Sequence, residues 1–258
     1  LRAERSRLLQ DNELARTTAH DFAGMTLSFP YRKVLFRHEL LAGVFFDRES
    51  EYELGTAPSS YPGFEDQLLG LAWLYNSTKI YPLSISRNDG LSLRLVAEDS
   101  DTLNSDYSGQ VYTLDWKQYI RTGQESVLAF RFMQGWGTDN SRRFQLGGES
   151  LGVDAYALFL GGQAEPVFNQ RNYPLRGYKE GQRQLQGRRA QLMTVEWRFP
   201  LERNERGIMA PPLGLMQWSG AVFTEAGSAY QDSPENYYGS AGAEINADIN
   251  MFYGVNIR

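Results

Sequence analysis

The chain contains no cysteine among its 258 residues, which excludes disulfides, thiolate metal sites and cysteine nucleophiles. It also has no apolar run near the roughly 18 residues that a membrane helix requires, so any membrane crossing must use strands. Its net charge of −5 offers no general excess of basic residues for nucleic acid. These absences leave the all-β classes open, in water or in a membrane.

Histidine is scarce as well, since only His20 and His38 occur. Neither has a metal-ligand spacing or lies beside the Gly-x-Ser-x-Gly turn of hydrolases. His38 belongs to a strand-like run, where a wall residue is commoner than a general base. The pairs Gly147-Gly148 and Gly161-Gly162 follow no strand–loop–helix pattern that could hold a phosphate. We therefore expect no enzyme activity, no cofactor and no metal ion.

What the chain has in abundance is two-residue alternation of apolar and polar side chains. In residues 191–201 the apolar Trp197 and Phe199 alternate with Glu196 and Arg198, and similar runs occupy 91–98, 112–117, 128–133 and 243–253. Successive side chains of a strand point to opposite faces, so each of these strands has one apolar and one polar face. Runs of about ten such residues between turn signals are typical of a transmembrane β-barrel.

The alternation alone does not exclude a soluble β-sandwich or propeller, in which the apolar face packs on a second sheet. Fifteen tyrosines and five tryptophans suit membrane interfaces and also ordinary β cores. The barrel hypothesis places one set of side chains outside, facing lipid: Leu128, Phe130, Phe132, Val195, Trp197, Ile245 and Ile249. It places a second set inside, facing water: Arg131, Arg198, Glu244, Asn246, Asp248 and Asn250.

The strand pattern predicts an all-β, antiparallel transmembrane barrel of about eleven strands, and this odd count indicates a truncated barrel because bacterial single-chain barrels have even counts. The strands are predicted near 22–29, 33–46, 67–76, 80–87, 90–98, 108–119, 124–136, 187–200, 214–225, 238–251 and from 254 onward. Residues 1–20 are charged and helix-capable, and they indicate a linker or the end of an upstream domain, followed by a partial barrel domain over 21–258. Boundaries within 47–66 stay open. A signal peptide would have to lie upstream.

Four segments in a set order carry a resemblance to a known family. They are Phe144-Gln-Leu-Gly147-Gly148, Leu175-Arg176-Gly177-Tyr178, Glu196-Trp-Arg-Phe-Pro-Leu201 and Gly220-Ala-Val-Phe223-Thr-Glu225-Ala-Gly227. In this order they resemble the C-terminal barrel of the BamA/TamA superfamily, also called the bacterial surface antigen family. The resemblance covers about residues 124–258, and the earlier strands match by pattern only. It implies a complete barrel of about sixteen strands, of which this chain holds about eleven.

The resemblance implies that the long connection holding Arg176, Gly177 and Tyr178 is extracellular and folds back into the barrel lumen. There Arg176 would pair with Glu196 and Glu225 on the inner wall. Where relatives often carry Asp, this chain has Glu225, and residues 149–174 form a longer insertion than the motifs require. From the residues alone, Arg176 could also be an ordinary surface arginine, and both glutamates could simply be solvated in a water-filled lumen.

The family implies a non-enzymatic function in the bacterial outer membrane, where such barrels assist the insertion or export of proteins or lipids. The expected partners are the lipid bilayer, client outer-membrane proteins and periplasmic domains upstream in the same chain, with no nucleic acid. The alternative is a passive barrel that anchors an upstream soluble domain or acts as a pore.

Overall fold

The computed structural model describes residues 2–10, 13–53, 64–81, 84–103, 105–123, 125–148, 167–179, 181–208, 213–251 and 255–257. Almost all regular structure in these ranges is β-strand, and the one described helix is a 3-10 turn at Arg183–Leu185. No helix in this part of the chain is long and apolar enough to cross a membrane.

The wall of the molecule is one antiparallel sheet of eleven strands, in the order β1-β2-β3-β4-β5-β6-β7-β11-β12-β13-β14. Its strands are β1 (Arg2–Gln10), β2 (Glu13–Arg32), β3 (Arg37–Glu53), β4 (Phe64–Asn76), β5 (Gly90–Asp99), β6 (Gln110–Arg121), β7 (Val127–Gly137), β11 (Arg189–Ile208), β12 (Leu213–Tyr230), β13 (Tyr238–Met251) and β14 (Val255–Ile257). A small sheet in the order β10-β8-β9 lies between β7 and β11 in sequence; it contains β8 (Phe144–Leu146), β9 (Asn172–Tyr173) and β10 (Gln186–Gly187). The prediction of an all-β, antiparallel barrel wall is confirmed.

The two faces of the wall differ as the alternation predicts. Apolar side chains at every second position are exposed on the outer face, including Leu27, Leu71, Trp116, Trp197, Val222, Ile245 and Ile249. The side chains between them point inward, where Leu68, Met133 and Leu192 are fully or almost fully buried. The buried ones pack against the long connection and not against a second wall sheet. The described part of the molecule is therefore a single-layer wall with an apolar outside.

The described parts of the long connection, residues 138–148, 167–179 and 181–188, lie inside the curve of the wall. Its residues Phe144, Leu146, Tyr173, Leu175 and Leu185 form one buried cluster with inward side chains of β6, β7 and β11. A second cluster joins Phe168 of the same connection to inward side chains of β3, β4 and β5. The same connection contacts β3–β5 and also β11, which are separated in the strand order of the sheet. The sheet must therefore curve around the connection. This arrangement confirms the predicted loop that folds into the lumen.

The predicted strand at 80–87 is wrong, since its described residues 80, 81 and 84–87 form no strand and the pairing next to them is an isolated bridge between Lys79 and Asp89. Side-chain oxygens capture the backbone amides that a strand would use. The amide of Thr78 donates to Asn76 at 2.8 Å, and that of Tyr81 donates to the Ser84 hydroxyl at 3.1 Å. Such local hydrogen bonds compete with a strand ladder.

The helix-capable prediction for residues 1–20 is also wrong, because the described part of this segment is strand. β1 pairs with the first half of β2, from Arg2 opposite Phe22 to Gln10 opposite Glu13. The Leu, Arg and Ala content favours a helix only weakly, and pairing within a sheet overrides such a preference. The predicted strands and the described wall strands both number eleven. The agreement arises because β1, which was not predicted, offsets the predicted strand at 80–87. The division of the chain at residue 20 stays a prediction.

Cysteine labelling can check the two faces of β13, because the chain has no cysteine of its own. We expect Asn246→Cys to react with a membrane-impermeant maleimide in reconstituted barrels, since Asn246 lines the lumen cavity. We expect Ile245→Cys, on the outer face, to react only with a lipid-soluble reagent. The measurement is the labelled fraction by mass spectrometry, and the reverse pattern would show that the faces are inverted.

Candidate functional site

The first and second family-like segments meet inside the lumen through glycine backbone. The amide of Gly147 donates to the Tyr173 carbonyl at 3.0 Å, and the amide of Gly148 donates to the Tyr178 carbonyl at 2.8 Å. Gly147 has φ +109°, and a Cβ there would lie 2.7 Å from the Lys179 carbonyl oxygen. The conformation and the close approach both require glycine. These bonds hold residues 172–179 in place for the contacts that follow.

Arg176 is the centre of a charged cluster, the Arg176 cluster, which contains Arg176, Glu196, Glu225 and Glu244. The Glu225 carboxylate accepts bonds from Arg176 Nε at 2.9 Å and Nη2 at 2.7 Å, and from the Arg176 backbone amide at 2.9 Å. Nη2 also donates to Glu196 at 3.0 Å, and Nη1 donates to Glu244 at 2.7 Å. A planar guanidinium with five donors can bind three carboxylates in this way, whereas an ammonium cannot reproduce the fork.

Neighbouring residues of the same motifs fix the position of this guanidinium. The Phe223 ring lies beneath it, with 3.4 Å between the Arg176 Cζ and the ring centroid. Gly177 has φ +87°, the left-handed region that a glycine adopts without strain. The Tyr178 hydroxyl donates to the Gly239 carbonyl at 3.0 Å, and its ring meets Tyr238 edge-on at 5.8 Å. The tip of the loop thus contacts β11, β12 and β13 together.

The three surrounding carboxylates favour the ionised form of Arg176. Burial disfavours the charged form, but the hydrogen bonds with Glu225 and Glu244 outweigh it, so the pKa of Arg176 is raised above its ordinary value. Glu225 is almost fully buried, and Glu196 also accepts a bond from Arg198 Nε at 2.5 Å. The carboxylates therefore depend on arginine for their compensation.

The structure brings Arg176, Gly177, Tyr178, Glu196 and Glu225 together, as the family resemblance implies. It also places the supporting residues nearby. Phe144 is fully buried, and a Cβ at Gly227 would touch the Leu146 side chain at 3.0 Å. Sequence reasoning missed Glu244 as a partner of Arg176. Its lumen-facing parity was available from the alternation, but its height on β13 relative to the loop tip was not.

A second charged cluster, the Asp47 cluster, was missed entirely; it contains Asp47, Glu98, Arg142, Asn169 and Arg171. Arg142 Nη1 binds Asp47 at 2.6 Å, and Arg171 Nη1 binds Glu98 at 2.6 Å. The amide of Asn169 donates to Glu98, and its side chain donates to Asp47 at 2.5 Å. The Arg171–Glu98 pair is almost fully buried, and each of its partners would be costly to leave alone.

Phe168 anchors this second cluster to the wall. Its ring lies 4.8 Å from the Phe45 ring, centroid to centroid. It covers Gly70 so closely that a Cβ built there would lie 2.3 Å from the Phe168 ring. The connection is therefore held to β3–β5 on one side of the lumen and to β11–β13 on the other.

Gly70→Ala should destabilise the protein, because the added methyl group must push Phe168 out of its site. Overpacking of this kind costs about 1–3 kcal/mol. The measurement is the free energy of unfolding in urea with the protein in lipid vesicles. Gly239→Ala is the matched control, since a Cβ there meets its nearest atom at an ordinary 3.6 Å. Equal stability of the two variants would contradict the tight packing of Phe168.

A cavity of about 370 Å³ lies beside the Arg176 cluster. The wall next to it carries a third charged group, in which Asp115 accepts two bonds from Arg131 at 3.0 Å and one from Arg94 at 3.2 Å. Ile85, from the connection between β4 and β5, lines the cavity together with Lys117, Arg131, Arg198 and Asn246. Among the described residues, no group of three or more His, Asp or Glu could hold a metal ion.

Fold and site together define a class: a single-layer antiparallel barrel wall whose lumen holds a long, charge-anchored loop. A solved structure that is similar to the chain is BamA from Haemophilus ducreyi lacking POTRA domains 1-3. The TM-score is 0.54 at 13% sequence identity, over 94% of this chain and 52% of that one. The chain thus has a BamA-like barrel fold and spans about half the length of that structure.

No protein-family model matches the chain, and the comparison with curated proteins found no significant match.

Proposed function

We propose that this chain forms an outer-membrane β-barrel of the assembly and translocation type, which assists the insertion or export of proteins or lipids. The observation that carries the proposal is the position of Arg176 inside the wall, bound to Glu196, Glu225 and Glu244. The BamA-like fold supports the same conclusion. The activity is non-enzymatic, and the partners are the bilayer and client outer-membrane proteins.

The surface chemistry supports a membrane position for the wall. Exposed Leu, Ile, Val, Trp and Met side chains recur along the outer face of successive strands. Soluble proteins rarely expose apolar areas of this extent, whereas lipid-facing barrel strands do. The ionised side chains of the central strands, such as Asp115 and Glu196, point to the lumen, where they are paired.

The role of the loop in this function follows from its two attachments. The Arg176 cluster holds it to β11–β13, and the Asp47 cluster holds it to β3–β5. A loop tied at both sides sets the curvature of the wall and fills the lumen on this side. This filling does not favour an open pore, so the competing function is that of a passive anchor for a soluble domain.

The experiment uses the chain refolded in phospholipid vesicles, and it measures the folding rate of an added small client barrel. Folding is followed by the shift in gel mobility between folded and unfolded client. An assembly barrel should accelerate client folding several-fold over empty vesicles, and Arg176→Ala should remove most of the gain. Arg183→Ala is the matched control, because Arg183 is an exposed arginine of the same connection.

If the chain integrates into vesicles but leaves the client rate unchanged, the assembly function is wrong and the anchor is favoured. If it fails to integrate under any condition, the membrane assignment is wrong as well.

A further inference from the structure

One end of the wall carries apolar side chains where a connection between strands is expected to be polar. This end, the short-turn rim, contains the connections 33–36, 77–89 and 122–126. In the first of them Val34 is 100% exposed and Leu35 65% exposed. In the second, Ile80 is 65% exposed, and Tyr81 is exposed next to it. Apolar residues at the tips of two neighbouring connections indicate a surface that is covered by something apolar.

An aromatic row lies directly beside these tips on the outer face. Tyr31, His38 and Tyr75 are in register across β2, β3 and β4. The His38 ring lies 4.9 Å from Tyr75, 5.8 Å from Trp73 and 5.2 Å from Phe36, centroid to centroid. Rings with an apolar body and a polar edge favour the boundary between acyl chains and headgroups.

The same rim is basic although the chain as a whole carries −5. Its exposed cations on the connections are Lys33, Lys79 and Arg87, whereas the exposed Arg32 and Arg121 are on the inner face, opposite Arg37 and Val127. The Lys33 ammonium lies 5.7 Å from the Tyr31 ring centroid and 5.9 Å from that of Phe36. Of the acids on these connections, Asp89 is half-buried, and Glu125 pairs with Arg203 at 3.2 Å.

Another acid of this region, Glu39, does not offset the basic charge of the outer rim. It is on the inner face of β3, where it binds Arg37 and accepts a bond from the Ser28 hydroxyl at 2.5 Å. Its charge is therefore already compensated by Arg37.

We propose that the short-turn rim from β2 to β6 binds the anionic headgroups of phospholipids, with the headgroup phosphate at Lys33, whose ammonium lies beside the Tyr31 and Phe36 rings. The acyl chains then lie along Leu40 and Leu71, the exposed residues of the same outer face. This proposal rests on the membrane position proposed above.

Phospholipid is the occupant that matches all three features. The phosphate complements the cations, the headgroup boundary accommodates the rings, and the acyl region continues onto the outer face. Free phosphate would leave Val34 and Leu35 uncovered. A soluble protein partner would not explain why the basic, aromatic surface merges with the apolar wall.

Trp73 provides a reporter inside the proposed site, because its ring stacks on His38. The experiment uses a variant of the full chain in which Phe replaces the other four tryptophans, Trp116, Trp136, Trp197 and Trp218. This variant is reconstituted in phosphatidylcholine vesicles. Quenching of Trp73 is then measured with brominated phosphatidylglycerol and with brominated phosphatidylcholine. We expect the anionic lipid to be favoured about fivefold for each contributing cation at ~0.05 M salt, and this preference to weaken at ~0.5 M.

The variant Lys33→Gln should lower the preference for the anionic lipid about fivefold, while Arg183→Gln, at the opposite end of the wall, should leave it unchanged. Equal quenching by both lipids in the unaltered rim would overturn the proposal. So would full competition by inorganic phosphate, which would indicate a phosphate site that does not select lipid.

If neither brominated lipid quenches Trp73 in protein that has integrated, the lipid proposal is wrong. The rim would then be covered by protein. Integration and client folding are measured on the same samples. A chain that integrates and accelerates client folding but shows no lipid preference fails this inference alone, whereas a chain that does not integrate fails the proposed function.

Discussion

Arg176→Ala is expected to lower the free energy of unfolding by about 3 kcal/mol, the lower part of the range for breaking a buried ion pair. The substitution removes bonds to three carboxylates, and Glu225 and Glu196 are only 6% and 12% exposed with the arginine in place. The value lies at the low end because Arg176 itself retains 20% exposure. The measurement is urea unfolding of the chain in vesicles, followed by tryptophan fluorescence.

Two variants make this expectation specific to the guanidinium. Arg176→Lys should recover only part of the stability, because an ammonium keeps the charge but lacks the fork that spans three carboxylates. Arg183→Ala should be nearly neutral, since Arg183 is exposed on the same connection. Full stability in Arg176→Ala would mean that the loop is held by the Asp47 cluster alone.

Ile245→Arg is expected to cost about 2–4 kcal/mol in a bilayer, because residue 245 lies at the middle of β13 on the outer face. Ile245 is 72% exposed to whatever surrounds the barrel. In water a charge at so exposed a position would be nearly neutral, within about 0.5 kcal/mol. The size of the effect in vesicles therefore distinguishes lipid from water as the surrounding medium.

Asn246→Arg is the matched control for this substitution. It adds the same side chain one residue along the strand, but toward the cavity that Glu196, Glu225 and Glu244 line. We expect little loss of stability there. If both variants were equally harmless in vesicles, the outer face of β13 would not be in contact with acyl chains.

The faces of the wall strands could be predicted because they follow from a period of two. Once the strand at 191–201 is recognised, Trp197 and Glu196 must lie on opposite faces, and the structure exposes Trp197 and turns Glu196 to the lumen. The predictions for 1–20 and 80–87 failed for different reasons, namely pairing with β2 in the first segment and side-chain hydrogen bonds beside the second. Side-chain propensity and alternation do not report strand pairing or the capture of amides by Asn76 and Ser84.

The residues of the candidate site also fall into those that the sequence could predict and those that it could not. Arg176, Glu196 and Glu225 lie in short motifs whose order the sequence displays, so a family resemblance could relate them. The Asp47 cluster has no such motif, since Arg142, Asn169 and Arg171 look like ordinary polar residues of a long connection. Its members meet only because the sheet curves, and curvature and register are properties of the whole wall.

The loop contacts also bear on the kinetics of folding. Asp47 and Arg142 are 95 residues apart in the chain, and Asp47 and Asn169 are 122 apart. Contacts of such long range close late, because the wall strands between the partners must first be ordered. Interactions that are absent from the folding transition state govern the rate of unfolding more than the rate of folding. The seated loop therefore acts mainly on the lifetime of the native barrel, and only slightly on the speed with which the barrel forms.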